Sequence, residues 1–218
     1  MGYIDCTHSL ETGMPVYPDS QPVSLSTTGT VASEGAHTTG IALESHVGTH
    51  VDVPRHMERD GPTLEAYDVS EWVFDTLVID CTDTTDREPI TTAALPAPTD
   101  HDLLCFRTDW SKYWGTDRYR DHPYLTANVA KWCAQHGYNV GIDAFSPDPT
   151  PSVDPERHSG TEPDGFPAHN ALFDANRRIV ENLTNLAALP ETCELHVQPL
   201  PIRGGDGSPV RAVAHTSD

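Results

Sequence analysis

The chain has 218 residues, 37% of them hydrophobic, and 33 Asp and Glu against 13 Lys and Arg give it a formal net charge of -20. That length suits one large domain or two small ones. The charge argues against nucleic acid or an anionic membrane as a partner, since both call for basic patches, and no apolar run approaches the ~20 residues of a membrane span.

The acids, 21 Asp and 12 Glu, are dispersed rather than gathered in blocks, and lysine is confined to Lys112 and Lys131. Dispersed acid, scarce lysine and abundant threonine point to a salt-adapted protein. Cys6, Cys81, Cys105, Cys133 and Cys193 are odd in number and form no CxxC pair, so buried free thiols in a reducing compartment are expected. The opening Met1-Gly2-Tyr3-Ile4-Asp5 has no basic segment and no apolar signal core, and a cytoplasmic location is the expectation.

Tyr3 to Cys6 reads as a strand. Thr7 to Pro22 is a loop whose centre, Met14-Pro15-Val16-Tyr17-Pro18-Asp19, presents an aromatic ring between prolines, a stiff arrangement. Tyr17 either packs on the edge of the domain or lines a substrate pocket. Val23 to Thr28 and Thr38 to Ser45 read as strands, the second with Ile41 and Leu43 on one face.

That second strand leads into His46-Val47-Gly48-Thr49-His50-Val51-Asp52-Val53-Pro54-Arg55-His56, three histidines and an aspartate interleaved with valines. Imidazole and carboxylate together suit zinc, manganese and related divalent ions. In an unbroken strand His46 and His50 would stand ~13 Å apart at about 3.3 Å per residue, too far for one ion. A helix is opposed by Val47-Gly48-Thr49 and by Pro54. The spacing therefore predicts a strand broken at Gly48, His50 and Asp52 on one strand face, and a loop after Pro54 that swings His56 back over the site.

Further on, Met57 to Tyr67 is a polar loop, Trp72 to Asp80 a buried strand, Ile90 to Leu95 a short helix and Asp102 to Arg107 another buried strand. Leu125, Val129, Trp132 and Cys133 fall at helical spacing between Tyr124 and His136, with Gly137 as the stop. Asn139 to Asp143 follows as a strand, a β-α-β rhythm. Phe145 to Pro167, rich in Pro, Asp and Gly, is long enough to serve as a lid over the site; His158 within it is the one remaining histidine of interest. Pro167 to Phe173 opens a helix with proline in its first turn. Ile179 to Leu183 is apolar apart from Glu181 and Asn182, Leu186 to Leu189 looks like a helical turn, and Leu195–Val197 and Val210–Val213 read as closing strands around Gly204-Gly205-Asp206-Gly207. With no internal repeat and no linker, residues 1–218 are expected to form one domain. Taken alone, His169 could be packing or a ligand. A charge at Glu181 is costly in such a stretch without a partner, and it could be structural or a ligand.

The string His-x-Gly-Thr-His-x-Asp-x-Pro-x-His from His46 to His56 resembles the signature of the cyclase family of metal-dependent hydrolases, which includes bacterial kynurenine formamidases and isatin hydrolases. Pro167-Ala168-His169-Asn170-Ala171-Leu172 and Glu181-Asn182-Leu183 resemble two downstream elements of that family, and Met14-Pro15…Pro18-Asp19, Arg107-Thr108, Gly141-Ile142-Asp143 and Ser208-Pro209-Val210-Arg211 extend the likeness nearly end to end. The resemblance implies an α/β fold, a swivelling β/β/α domain with a central mixed, barrel-like sheet. It implies one or two divalent ions, zinc or manganese. His46, His50 and Asp52 would hold the first, Asp52 and Glu181 would bridge to a second completed by His169, and His56 would carry the proton. It implies hydrolysis of a small amide by metal-activated water, foremost N-formylkynurenine to kynurenine and formate, in a homodimer. The alternatives are hydrolysis of a cyclic amide such as isatin or of a lactone, and a catalytically silent metal-binding relative. Formamidases of this type often carry tryptophan in the N-terminal proline loop, where this chain has Tyr17 as a substrate-binding candidate.

Overall fold

The computed structural model describes residues 2–157 and 162–216, so His158 lies outside the described residues. Its strands in chain order are β1 (Gly2–Asp5), β2 (Ser24–Gly29), β3 (Thr38–Ala42), β4 (His50–Asp52), β5 (Val73–Asp80), β6 (Pro89–Ile90), β7 (Leu103–Arg107), β8 (Tyr124–Leu125), β9 (Asn139–Ile142), β10 (Ile179–Glu181), β11 (Thr192–His196), β12 (Gly207–Pro209) and β13 (Val213–Thr216). The helices are a single turn α1 (Val31–Glu34), α2 (Ala127–Gln135) and α3 (Pro167–Phe173). Nine strands form one mixed sheet in the order β1-β13-β11-β5-β7-β9-β10-β4-β12. The run β5-β7-β9-β10 is parallel, and antiparallel strands flank it on both sides.

The parallel strands read as apolar runs because they are buried on both faces. Along β7, Leu104 and Phe106 join the core under α2 and α3, while Leu103 and Cys105 join a second core on the opposite face with Trp72, Phe74, Leu195 and Val197. α2 is held at its start by Thr126, whose side chain accepts from the Val129 amide, and is closed by Gly137 at φ 86°. It carries the chain from β7 to β9, and α3 from β9 to β10, the expected crossovers of a parallel sheet. Arg178 fixes the entry to β10. Its backbone amide donates to Asn139 Oδ1 at 2.9 Å and its guanidinium lies 4.9–5.2 Å from the rings of Tyr67, Trp72 and Phe74.

The sheet is curled, and the chain itself requires this. Only residues 210–212 separate β12, at one edge, from β13, next to the other edge. Four residue steps reach at most ~14 Å, whereas seven strand spacings across a flat sheet come to roughly 34 Å. The two ends of the sheet must therefore approach each other in a half-barrel, as the expected barrel-like sheet requires.

Two expectations are corrected. Ile90–Leu95 is not a helix: Ile90 pairs with Leu125, Thr92–Ala94 makes one 3-10 turn, and Leu95, ahead of Pro96, is extended. Val210–Val213 is not one strand. Pro209 ends β12 at the sheet edge, where its missing donor costs no ladder bond, and Val213 opens β13 beside β11. The loop after β9 begins as a wall, since residues 144–148 are all buried. β2 and β3 form a ribbon separate from the main sheet, with Val31 and Ile41 exposed.

Candidate metal centre

β4 is where the geometry of the site originates. Gly48 adopts φ 61°, which breaks the chain's extension just before it. Within β4, Val51 belongs to the second core, on the face of the sheet away from α2 and α3, and is fully buried. By the alternation of a strand, His50 and Asp52 face the other way, toward the helices. β10 runs antiparallel beside β4 with Glu181 directly opposite His50. Glu181 is the last residue of β10, and the left-handed Asn182 (φ 55°) turns the chain immediately afterwards. Pro54–His56 forms a 3-10 turn that brings the His56 ring to 3.8 Å from that of His46, centroid to centroid. α3 delivers His169 from its first turn.

All six of the predicted residues, His46, His50, Asp52, His56, His169 and Glu181, line one cavity of about 350 Å³, within the range of small-molecule sites. Two donor trios lie in it, His46–His50–Asp52 and Asp52–His169–Glu181, each with its ligating atoms within 4.8 Å of one another. Asp52 is common to both. Its Oδ1 is 2.5 Å from His46 Nδ1 and 3.2 Å from His50 Nε2, and its Oδ2 is 3.7 Å from His169 Nε2. Glu181 Oε2 lies 3.3 Å from His50 Nε2, and Oε1 lies 3.4 Å from His169 Nε2.

The donor set passes a test of fit to a divalent ion. Glu181 Oε1 is buried without a hydrogen-bond partner, and an orphaned buried carboxylate oxygen is costly unless a cation satisfies it. Burial opposes charge on His50 and on His169, yet Asp52 and Glu181 beside the first, and Asp148, Asp52 and Glu181 beside the second, hold both well above the usual histidine range. Burial likewise opposes ionisation of Asp52, and His50 and His46 outweigh it and hold the carboxyl well below the usual range. The cluster thus stabilises positive charge at its centre, whether carried by protons or by a metal.

His56 differs. Burial lowers its pKa, with Asp52 pulling the other way and His46 adding to the lowering, so its neutral form dominates near pH 7 and is free to accept a proton. Tyr17 stands in the cavity wall, edge-on to Phe145 at 6.4 Å. Its hydroxyl is pushed up to about 12 by burial and by the charges of Glu181 and Asp148. Phe145, Met57 and Phe166 complete the apolar part of the wall.

Two residues at the site had no place in the sequence reasoning. Asp148 receives the backbone amides of Ala168 and His169 at 2.8 and 3.0 Å, and lies 2.7 Å from His169 Nδ1. It therefore turns Nε2 of His169 toward Asp52 and Glu181, as outer carboxylates do for metal-binding histidines. Asp206 lies 3.0 Å from His46 Nε2. The available signals were weak: an acid between Pro147 and Pro149, and a lone acid among glycines.

Comparison with known proteins agrees with this geometry. A family model described as "Putative cyclase" matches residues 4–149. A kynurenine formamidase of Geobacillus thermodenitrificans is 29% identical over 214 residues, covering 96% of this chain and 95% of that protein, and one from Bacillus anthracis is 27% identical over 216 residues, covering 97% and 96%. Among solved structures, isatin hydrolase A from Labrenzia aggregata superposes with a TM-score of 0.85 at 24% identity, covering 98% of this chain and 93% of that one. A "predicted metal-dependent hydrolase from Bacillus stearothermophilus" gives a TM-score of 0.76 at 26% identity, covering 98% and 97%. With the matched segment spanning well over half of its length, the chain belongs to the cyclase family.

Proposed function

We propose that this chain is a metal-dependent amide hydrolase, foremost an arylformamidase that converts N-formylkynurenine to kynurenine and formate. The observation that carries the reading is the pair of largely buried donor trios sharing Asp52, with His56 outside both and grouped instead with His46 and Asp206 in a third, less buried trio. His46, His50 and Asp52 would hold one divalent ion, zinc or manganese, and Asp52, His169 and Glu181 a second. An ion so held polarises a carbonyl and makes water more acidic. His56 does the proton work, taking a proton from the attacking water and returning it to the departing amine nitrogen. Histidines engaged as ligands have no free lone pair for that task. Tyr17, Phe145 and Phe166 flank the aryl ring of the substrate and exclude water from one side of the cavity.

Full-length matches to proteins named kynurenine formamidase favour the formamidase over a cyclic-amide or lactone hydrolase, and a tyrosine at position 17 leaves isatin-like substrates as the second reading. Zinc- or manganese-loaded protein assayed side by side on N-formylkynurenine and isatin separates them. Preferential release of formate is the expected result. Preference for isatin favours the second reading, and no turnover of any amide, ester or lactone with metal bound would overturn both.

We also propose a salt-adapted cytoplasmic homodimer in which residues 1–218 act as one domain. Pairing of β1 with β13 supports the last point, since it ties residues 2–5 to residues 213–216. Among the described residues no helix is long and apolar enough to cross a membrane.

A further inference from the structure

We propose that Asp206 is a positioning residue that fixes the tautomers of two histidines at once, His46 for metal binding and His56 for proton transfer. The proposal rests on the roles given above to those histidines. One oxygen, Asp206 Oδ2, lies 3.0 Å from His46 Nε2 and 3.7 Å from His56 Nδ1. The other, Oδ1, accepts from Ser45 Oγ at 3.0 Å, which holds the carboxylate in plane between the rings. The imidazoles lie 3.8 Å apart, centroid to centroid, with their planes tilted by 36°.

The loop carrying Asp206 is built for close approach. A Cβ on Gly207 would stand 2.5 Å from His46 Cε1, and one on Gly205 would stand 2.7 Å from Leu64 Cδ1 and 3.0 Å from the Ile202 carbonyl. The Val53 amide donates to the Asp206 carbonyl at 3.1 Å. The loop is thereby pinned to the segment that leaves β4 and turns into His56.

The chemistry follows from which nitrogen faces the carboxylate. His46 meets a carboxylate at each nitrogen, Asp206 at Nε2 and Asp52 Oδ1 at 2.5 Å from Nδ1; with an ion in place of the proton between Nδ1 and Asp52, the Nε2–H bond to Asp206 leaves the Nδ1 lone pair to that ion. His56 Nδ1 stands 3.7 Å from the same oxygen, beyond hydrogen-bond length but close enough for the carboxylate charge to favour N–H on that side and leave the Nε2 lone pair toward the cavity. When water attacks, its O–H bond breaks and an N–H bond forms at His56 Nε2, and the imidazolium is held against the Asp206 charge. That N–H bond then breaks as the proton passes to the leaving amine nitrogen, and the starting tautomer is restored.

The test uses the zinc-loaded protein with Asp206→Asn, His56→Ala and the double variant, and reads three quantities. Long-range 1H–15N spectra of the histidine rings should show His56 protonated at Nδ1 in the wild type, and a shift toward the Nε2–H form in Asp206→Asn. Zinc affinity by chelator competition should fall about 10–100-fold, the usual cost of losing an outer partner of a metal ligand. At saturating zinc, kcat should fall by at least about tenfold with KM little changed, and the Asp206→Asn effect should largely vanish in the His56→Ala background, as for residues acting as one unit. An unchanged tautomer, or an equal loss of kcat with and without His56, would overturn the proposal. Wild-type kcat in His56→Ala would overturn the role of His56 itself, whatever Asp206→Asn does. If Asp206→Asn fails to fold, Ser45→Ala removes only the bond that holds the carboxylate in plane. It should give a smaller loss in the same direction, and wild-type kcat and spectra there would count against the proposal.

Discussion

The half-buried His56 and the buried Asp143 are both titratable side chains near the carboxyl ends of the sheet strands, and they do opposite things with a proton. The His56 ring faces Asp206 and the tilted ring of His46, so replacing it should leave the two trios that share Asp52 intact. His56→Ala is expected to retain metal content near wild type while kcat falls by about 10²–10⁴, the usual worth of acid–base help. Metal analysis alongside steady-state kinetics checks this, and loss of the metal would place His56 among the ligands instead. Asp143 lies at the end of β9, where Oδ1 accepts from the Thr108 amide and hydroxyl at 2.8 and 2.6 Å while Oδ2 has no partner. Burial pushes its carboxyl up to about 6 despite those two bonds. The folded value is thus raised above the unfolded one. Its contribution to stability is complete below about pH 4 and is lost as pH climbs to about 6, because the unfolded chain gives up this proton first. Asp143→Asn keeps the acceptor for Thr108 and removes that slope. Denaturant unfolding at pH 4.5 and pH 7 should show the variant gaining on the wild type by on the order of 2 kcal/mol across the interval, and parallel pH dependences would rule the account out.

At the scale of elements, β4 works because its neighbours are shaped around it. Gly207, opposite Asp52 in β12, has no side chain where the His46 ring passes. A methyl there would also meet the Val51 carbonyl at 2.8 Å, and backbone on one side with a ring on the other leaves no soft direction to yield. Gly207→Ala should therefore displace His46 and weaken metal binding by tenfold or more, the same order as loss of an outer partner. Chelator competition measures it, and wild-type affinity would mean that the ring relaxes freely. The elements that were legible in the sequence are those whose signals are local. The break at Gly48, the turn after Pro54, the proline-led α3 and the capped α2 each follow from residues within one or two turns. Ile90–Leu95 misled because its helical look was overruled by pairing with Leu125, 35 residues away, and Val210–Val213 because the chain there changes partners across the sheet. Asp148 and Asp206 were missed for the same physical reason. Each meets its histidine only after α3 or β12 has been placed, and neither the prolines beside one nor the glycines around the other encode that meeting.

For the whole molecule the dominant quantity is a net charge of -20 on a half-barrel of 218 residues. Like charges spread over so small a surface repel across a screening length of about 10 Å at 0.1 M salt and about 3 Å at 1 M. The melting temperature should rise steadily between those two conditions, and a flat response would remove the case for salt adaptation. The curl of the sheet also has a consequence for how the protein is made. The ribosome delivers His46 to His56 early, but the strands on either side of β4 are residues 179–181 and 207–209. Until residues 207–209 have been made, the nascent chain therefore displays three histidines and an aspartate with an incomplete framework to space them. Selective loading then waits for both flanking strands, so that whichever ion the compartment offers meets an assembled cavity rather than a bare peptide.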